Sequence, residues 1–139
     1  MTESEIRNFL NQGINLAKRI ESKKILLLHM KQSATRITRS MTAERVDGTV
    51  CSDLMENAVL EYVSLEDEIY NDLAKLTFLR IELMRFINSV EDEKTRTLFQ
   101  FRYITDMRWE NIASSMGYTY QWVFELHRRG IKQLALQAV

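Results

Sequence analysis

The sequence predicts an all-α protein built as a long antiparallel helical hairpin of coiled-coil type followed by a helix-turn-helix. Three observations point there. The 139 residues contain no proline and only four glycines, so almost nothing interrupts helix formation. Apolar residues return every three or four positions through two stretches much longer than an ordinary globular helix. Near the C-terminus, Gly117 separates two short periodic segments, the arrangement expected of two helices crossing over a tight turn.

The first element is a helix over residues 3 to about 41. Ile6, Leu10, Ile14, Ala17, Ile20, Leu27 or Leu28, Ala34, Ile37 and Met41 form its seam at intervals near 3.5. Gly13 interrupts good helix formers, so it marks a weak point or a close approach by a neighbour. The cluster Lys23 to Lys31 disturbs the spacing, and His29 within it has no second metal ligand at a useful interval. Residues 42–52, TAERVDGTVCS, lose the periodicity and contain the turn signal Asp47-Gly48, so they read as the hairpin loop.

A second helix of matching length is expected from about Asp53 to Ser89, with Ser52 or Asp53 as cap. Leu54, Ala58, Leu65, Ile69, Leu73 or Leu76, Leu79, Leu83, Ile87 and Val90 supply its seam. Two helices leave Tyr62, Tyr70, Phe78, Met84 and Phe86 without cover. Their expected use is packing on the C-terminal domain or on a second copy of the chain, as in a homodimer through the hairpin. Residues 1–90 are thus expected to form the hairpin, and residues 91–139 a second domain.

That domain begins at the acidic junction Glu91-Asp92-Glu93, which suits a helix N-terminus electrostatically. A helix from about Asp92 to Ile104 carries Leu98, Phe99, Phe101 and Tyr103. Trp109, Ile112, Ala113 and Met116 then share a face of the next helix, Gly117 stops it, and Thr119 is placed to cap the last one. Val123, His127, Gly130 and Leu134, flanked by Leu126 and Ile131, make the core face of that last helix.

Its other face carries Gln121, Glu125, Arg128 and Lys132, with Trp122, Phe124 and Arg129 at the edges. Gln and Arg can address base edges, Glu can accept from cytosine N4, and basic side chains can meet phosphates. Charge is segregated along the chain, although the total is zero. Residues 1–47 hold nine Lys/Arg against five Asp/Glu, residues 48–93 three against eleven, and residues 94–139 seven against three. A basic C-terminal third fits a DNA-contacting end.

The segment LFQFRYITDMRWENIASSMGYTYQWVFELHRRGIKQL resembles region 4 of bacterial sigma-70 factors. The shared features are Arg102-Tyr103 ending one helix, Ile112-Ala113 in the next, Thr119 capping a recognition helix, Val123 inside it, and the basic Arg128-Arg129 and Lys132-Gln133-Leu134. With the long hairpin in front, the whole chain is similar to small sigma-like proteins of phages and prophages of Gram-positive bacteria, some described only as a domain of unknown function and related to late-gene activators. The resemblance implies a DNA-binding transcription regulator with base contacts from Gln121, Trp122, Glu125 and Arg128, and phosphate contacts from Arg102, Arg108, Thr119, Arg129 and Lys132. Its partners would be double-stranded DNA and RNA polymerase, and its place the cytoplasm of a bacterial host.

Departures from the pattern support a second expectation, a module that binds polymerase or another protein without reading DNA sequence. Trp122 and Phe124 stand where region 4 usually has polar or basic residues, Gly130 replaces the usual alanine, and no segment is left over to melt a promoter. An enzyme is not expected. Two separated histidines, the single Cys51 and the lack of a glycine-rich phosphate loop provide no catalytic or metal constellation, and no cofactor is implied. The longest apolar run, Ile25 to Leu28, is too short to cross a bilayer.

Overall fold

The computed structural model describes residues 1–44 and 48–137, and their side chains except those of 37, 38, 40–44 and 48–52. Among the described residues every regular element is helical: α1 Glu3–Glu44, α2 Gly48–Ile87, α3 Glu93–Phe99 running on into a π-helical turn Gln100–Ile104, α4 Trp109–Met116 and α5 Tyr120–Gln137. The all-α hairpin and helix-turn-helix expectation holds. No helix among them is long and apolar enough to cross a membrane.

The helices reach further into the 42–52 stretch than its sequence suggests. Thr42 to Glu44 close α1 and Gly48 to Ser52 open α2, so Ser52 and Asp53 lie within α2 instead of capping it. Residues 42–44 include no helix breaker. In α2, poor helix formers such as Gly48 and Val50 fall in the first turn, where backbone N–H groups have no intrahelical partner to lose. Arg45, Val46 and Asp47, with half of the Asp47-Gly48 signal, lie outside the described residues, as do the side chains of Ile37, Met41 and Cys51.

Two compact units divide the chain: Met1–Ala17 with Leu76–Val139, and Lys18–Lys75. In the first, α1 opens on a reciprocal capping box. The Thr2 N–H donates to the Glu5 carboxylate at 3.0 Å and the Glu5 N–H to the Thr2 hydroxyl at 3.2 Å. Ile6, Leu10 and Ile14 then pack with Leu83, Ile87 and Val90 of the α2 end and with Phe99, Tyr103, Ile131 and Leu134. Phe9 meets Phe86 edge-on at 5.3 Å. Gly13 is a site of close approach, because a Cβ there would stand 3.0 Å from Leu83 and 3.6 Å from the Tyr103 carbonyl.

In the second unit the helices also run antiparallel, with Lys23 reaching both Asp72 at 2.7 Å and Glu68 at 3.4 Å, and Arg19 reaching Asp72 at 3.2 Å. Asp72 is buried on the seam, and the Lys23 hydrogen bond, with the Arg19 charge, holds its carboxyl below the usual range. Ile20 and Ile69 are buried on the same seam, while Leu27, Ala34, Ala58, Leu65 and Leu73 are half-buried. Leu28 and Leu54 fall outside it and are exposed; near Leu54 the seam follows Met55 and Ala58.

Candidate nucleic-acid interface

The site is assembled from α3 upward. Asp92 caps α3, accepting from the Thr95 hydroxyl at 2.6 Å and the Thr95 N–H at 3.2 Å, and these bonds hold its pKa below the ordinary aspartate value. The π-helical turn that follows rotates the chain end by one residue relative to an α-helix. Thr105 N–H then bonds the Gln100 carbonyl at 3.1 Å, and Asp106 takes a left-handed φ of 58° before α4 begins. Arg102 secures this connection, donating to the Met107 carbonyl at 3.0 Å while its guanidinium lies 4.8 Å from the centre of the Trp109 ring. The guanidinium expected at a phosphate is thus engaged within the fold and half-buried.

Gly117 ends α4 at φ 71°, and its N–H bonds the Ser114 carbonyl at 3.3 Å while Tyr118 N–H bonds the Ala113 carbonyl at 2.9 Å. That paired closure is a Schellman motif, which is why a glycine is needed here. Two residues on, the Thr119 hydroxyl accepts from the Trp122 N–H at 3.2 Å and starts α5. Ile112 and Ala113 of α4 pack with Leu98 of α3 and with Val123 and Leu126 of α5, and Trp109 and Met116 cover the edge half-buried. The turn and this small core together fix the crossing of α4 and α5.

All six residues assigned to the inner face of α5 are buried: Val123, Leu126, His127, Gly130, Ile131 and Leu134. Gly130 has a specific reason to lack a side chain. A Cβ at that position would come within 2.6 Å of Thr95 and 2.7 Å of the Phe99 ring. His127 shares a 2.6 Å hydrogen bond with the Tyr103 hydroxyl and stands edge-on to Phe99 and Trp109. Burial, with the nearby charges of Arg7 and Arg102, pulls its pKa down to about 4, so the imidazole is neutral at pH 7. Burial pushes the Tyr103 hydroxyl up to about 12.

The outer face of α5 presents Gln121, Arg128 and Lys132 to solvent, with Trp122 and Arg129 beside them and Glu125 half-buried. Glu125 sits between the two arginines: Arg128 donates to both of its carboxylate oxygens, at 2.6 and 3.1 Å, and Arg129 to one, at 3.2 Å. The Arg128 hydrogen bonds are the main cause of a Glu125 pKa near 2, and they raise that of Arg128 in return. Arg129 also lies 5.2 Å from the Trp122 ring centre. Arg108 is exposed at the N-terminus of α4. The structure therefore brings Gln121, Trp122, Glu125, Arg128, Arg129 and Lys132 onto one helix surface, and sets Arg102 apart in a turn.

Two features of this surface were missed in the sequence. The clamp of Glu125 on Arg128 and Arg129 was legible in their three- and four-residue spacing, which places these side chains together on any helix. The aromatic edge at Phe124 is larger than that residue alone: Tyr120 meets Phe124 at 4.6 Å and Phe124 meets Trp109 at 4.8 Å, with Tyr120 and Phe124 exposed, and Trp122 exposed on the other edge beside Arg129. Among the described residues no group of three or more His, Cys, Asp or Glu is placed to hold a metal ion.

Comparison with known proteins gives one match. A family model described as "Protein of unknown function (DUF1492)" covers residues 35–135, from the last turns of α1 through nearly all of α5. No curated protein and no solved structure matches the chain. The match spans well over half of the sequence, so the chain belongs to the DUF1492 family.

Proposed function

We propose that this protein is a DNA-binding transcription regulator of the sigma-70 region-4-like kind, phage or prophage encoded, that inserts α5 into the major groove. The observation that carries the reading is the division of α5 into a fully buried face and a polar outer face, presented by a Schellman turn and a threonine cap. Gln121 lies in the first turn of α5, where recognition helices address base edges. Arg128 is the guanine-reading side chain, with Glu125 and Trp122 beside it, while Arg108, Thr119, Arg129 and Lys132 meet phosphates. Docking requires Arg128 to exchange its carboxylate partner for a base, so Glu125 opposes indiscriminate binding to any duplex.

A second reading rests on the aromatic edge. Tyr120 and Phe124 on one edge of α5 and Trp122 on the other are exposed aromatics of the type enriched in protein interfaces, and two of the basic residues of α5 share an ion pair with Glu125. On that reading α5 docks on RNA polymerase or another protein.

Binding of the purified chain to duplex DNA from upstream of its own coding sequence, and to random duplex, across a salt series separates the two. The regulator reading expects selective binding that weakens steeply with salt, since phosphate contacts release counterions. Arg128→Ala should cost roughly ten- to a hundredfold in affinity for the selected site, and Lys132→Ala should lower the salt slope by about 1. Equal, weak binding to every sequence would transfer the assignment to the protein-docking reading, for which polymerase capture lost in Trp122→Ala is the corresponding result.

A further inference from the structure

The compact unit that holds the helix-turn-helix also includes the start of the chain. Met1–Ala17 belongs to it, and Ile6, Leu10 and Ile14 of α1 are buried in one core with Tyr103 and with Ile131 and Leu134 of α5. Gly13 lies so close to the π-helical turn that a Cβ there would stand 3.6 Å from the Tyr103 carbonyl. The first turns of α1 are therefore fixed against the element that would read DNA. Glu3, Arg7, Leu10 and Ile14 succeed one another at intervals of four, three and four, which sets them along one flank of α1. Leu10 and Ile14 on that flank are buried, while Glu3 and Arg7 stand exposed at its start.

Both charges are felt on α5. Glu125 is the main partner that raises the pKa of Arg128, and the Glu3 carboxylate adds to it. Burial lowers the pKa of His127 most, and of the nearby charges Arg7 acts ahead of Arg102. Arg128 shares a flank of α5 with Phe124 and Ile131, and Phe124 meets Trp109 at 4.8 Å, next to the exposed Arg108. Two arginines from other helices, Arg108 and Arg7, thus border the same edge of α5. Arg7 differs from its neighbours in having nothing to hold it. Arg102 is engaged by the Met107 carbonyl and the Trp109 ring, and Arg128 and Arg129 share Glu125. Among the described residues no carboxylate lies within ion-pair distance of Arg7. An exposed guanidinium without an acid, beside a second guanidinium acting on the same Tyr103–His127 pair, attracts an anion.

We propose that Arg7 is a phosphate contact of the docked complex, so that the DNA-binding surface joins the second turn of the chain's first helix to its last helix. When α5 enters the major groove, the strand that passes the Phe124 edge meets Arg108 from α4 and Arg7 from α1. The proposal rests on the reading of α5 as a recognition helix. The Arg7 guanidinium presents a planar fork that matches two oxygens of one phosphate. Such a contact carries no base information, and it strengthens binding to every duplex alike.

Duplex binding of the full chain across a salt series, on the selected site and on random DNA, tests it. Arg7→Gln should lower the slope of log affinity against log salt by about 1 on both duplexes, and weaken binding by up to about tenfold near 0.1 M salt. Arg7→Lys should keep the slope, since the charge remains. Arg85→Gln removes the same charge from an exposed position between the buried Leu83 and Ile87, on the side of α2 turned away from them, and should leave the slope unchanged. In the free chain, Arg7→Gln should raise the pKa of His127, followed through its ring proton resonances, because a nearby cation is gone. An unaltered slope in Arg7→Gln, with Arg128→Ala still costing affinity, overturns the proposal and leaves the recognition helix standing. An equal fall of slope in Arg85→Gln overturns it as well, because net charge then accounts for the effect. An unmoved His127 overturns the placement of Arg7 and the proposal with it, and a wild type that binds no duplex overturns both readings.

Discussion

Helix α5 and the paired helices of residues 18–75 obey the same periodicity but come out differently. In α5, six of eighteen residues are buried, and the one polar side chain among them, His127, has a partner in Tyr103. In the hairpin segment only Ile20, Ile69 and Asp72 are buried among the described residues, while Ile25, Leu26, Leu28, Leu60 and Val63 face solvent. The difference lies in the number of neighbours. α5 packs against α3 and α4, and its Ile131 and Leu134 share a core with Ile6 and Leu10 of α1, Leu83 and Ile87 of α2 and Tyr103 of the π-helical turn. A helix with one partner can bury one seam and nothing else, whatever its sequence offers.

The contrast sets a ranking of substitutions, measured by denaturant unfolding of the full chain. Phe99→Ala should cost most, about 3–5 kcal/mol, because the ring is fully enclosed between α1, α2 and α5. Acid should come next. His127 takes up a proton near pH 6.5 when unfolded but only near pH 4 when folded, so the folded state binds fewer protons in between. Stability should therefore fall by up to about 3 kcal/mol as pH drops from 6.5 to 4, and His127→Gln should flatten that slope. An unaltered slope in the variant would remove His127 as its source.

Gly130→Ala should destabilise by about 1–3 kcal/mol, the reverse of its usual helix effect, because Phe99 and Thr95 must give way. Gly117→Ala should cost about 1 kcal/mol through its positive φ alone, since nothing lies within 4 Å of the added carbon. Leu60→Gln, on the exposed side of the hairpin, should change stability by less than about 0.5 kcal/mol. Were Leu60 to matter as much as Gly130, the contrast between the two regions would fail.

The parts of the fold that depend on local pattern were legible in the sequence. Gly117, Thr119 and the six inward positions of α5 follow from turn chemistry and the 3.6-residue period, which need no knowledge of distant contacts. The extent of the hairpin loop was not, because residues 42–44 and 48–52 lack an apolar seam yet remain helical. The engagement of Arg102 by the Met107 carbonyl and the Trp109 ring was also hidden, since it depends on a π-helical turn and a left-handed Asp106 that single-residue preferences do not announce. The enlarged aromatic edge required knowing that Trp109 of α4 reaches Phe124 of α5.

Asp72 gives the hairpin a single register. Slid one heptad along α1 in either direction, its carboxylate would meet Gln12 and Leu16 or Leu26 and Met30, with no cation to replace Lys23 and Arg19. Paired helices that pass a signal by slipping past one another need two registers of similar energy. These helices have one, so whatever the hairpin transmits must travel by displacement of the pair as a unit.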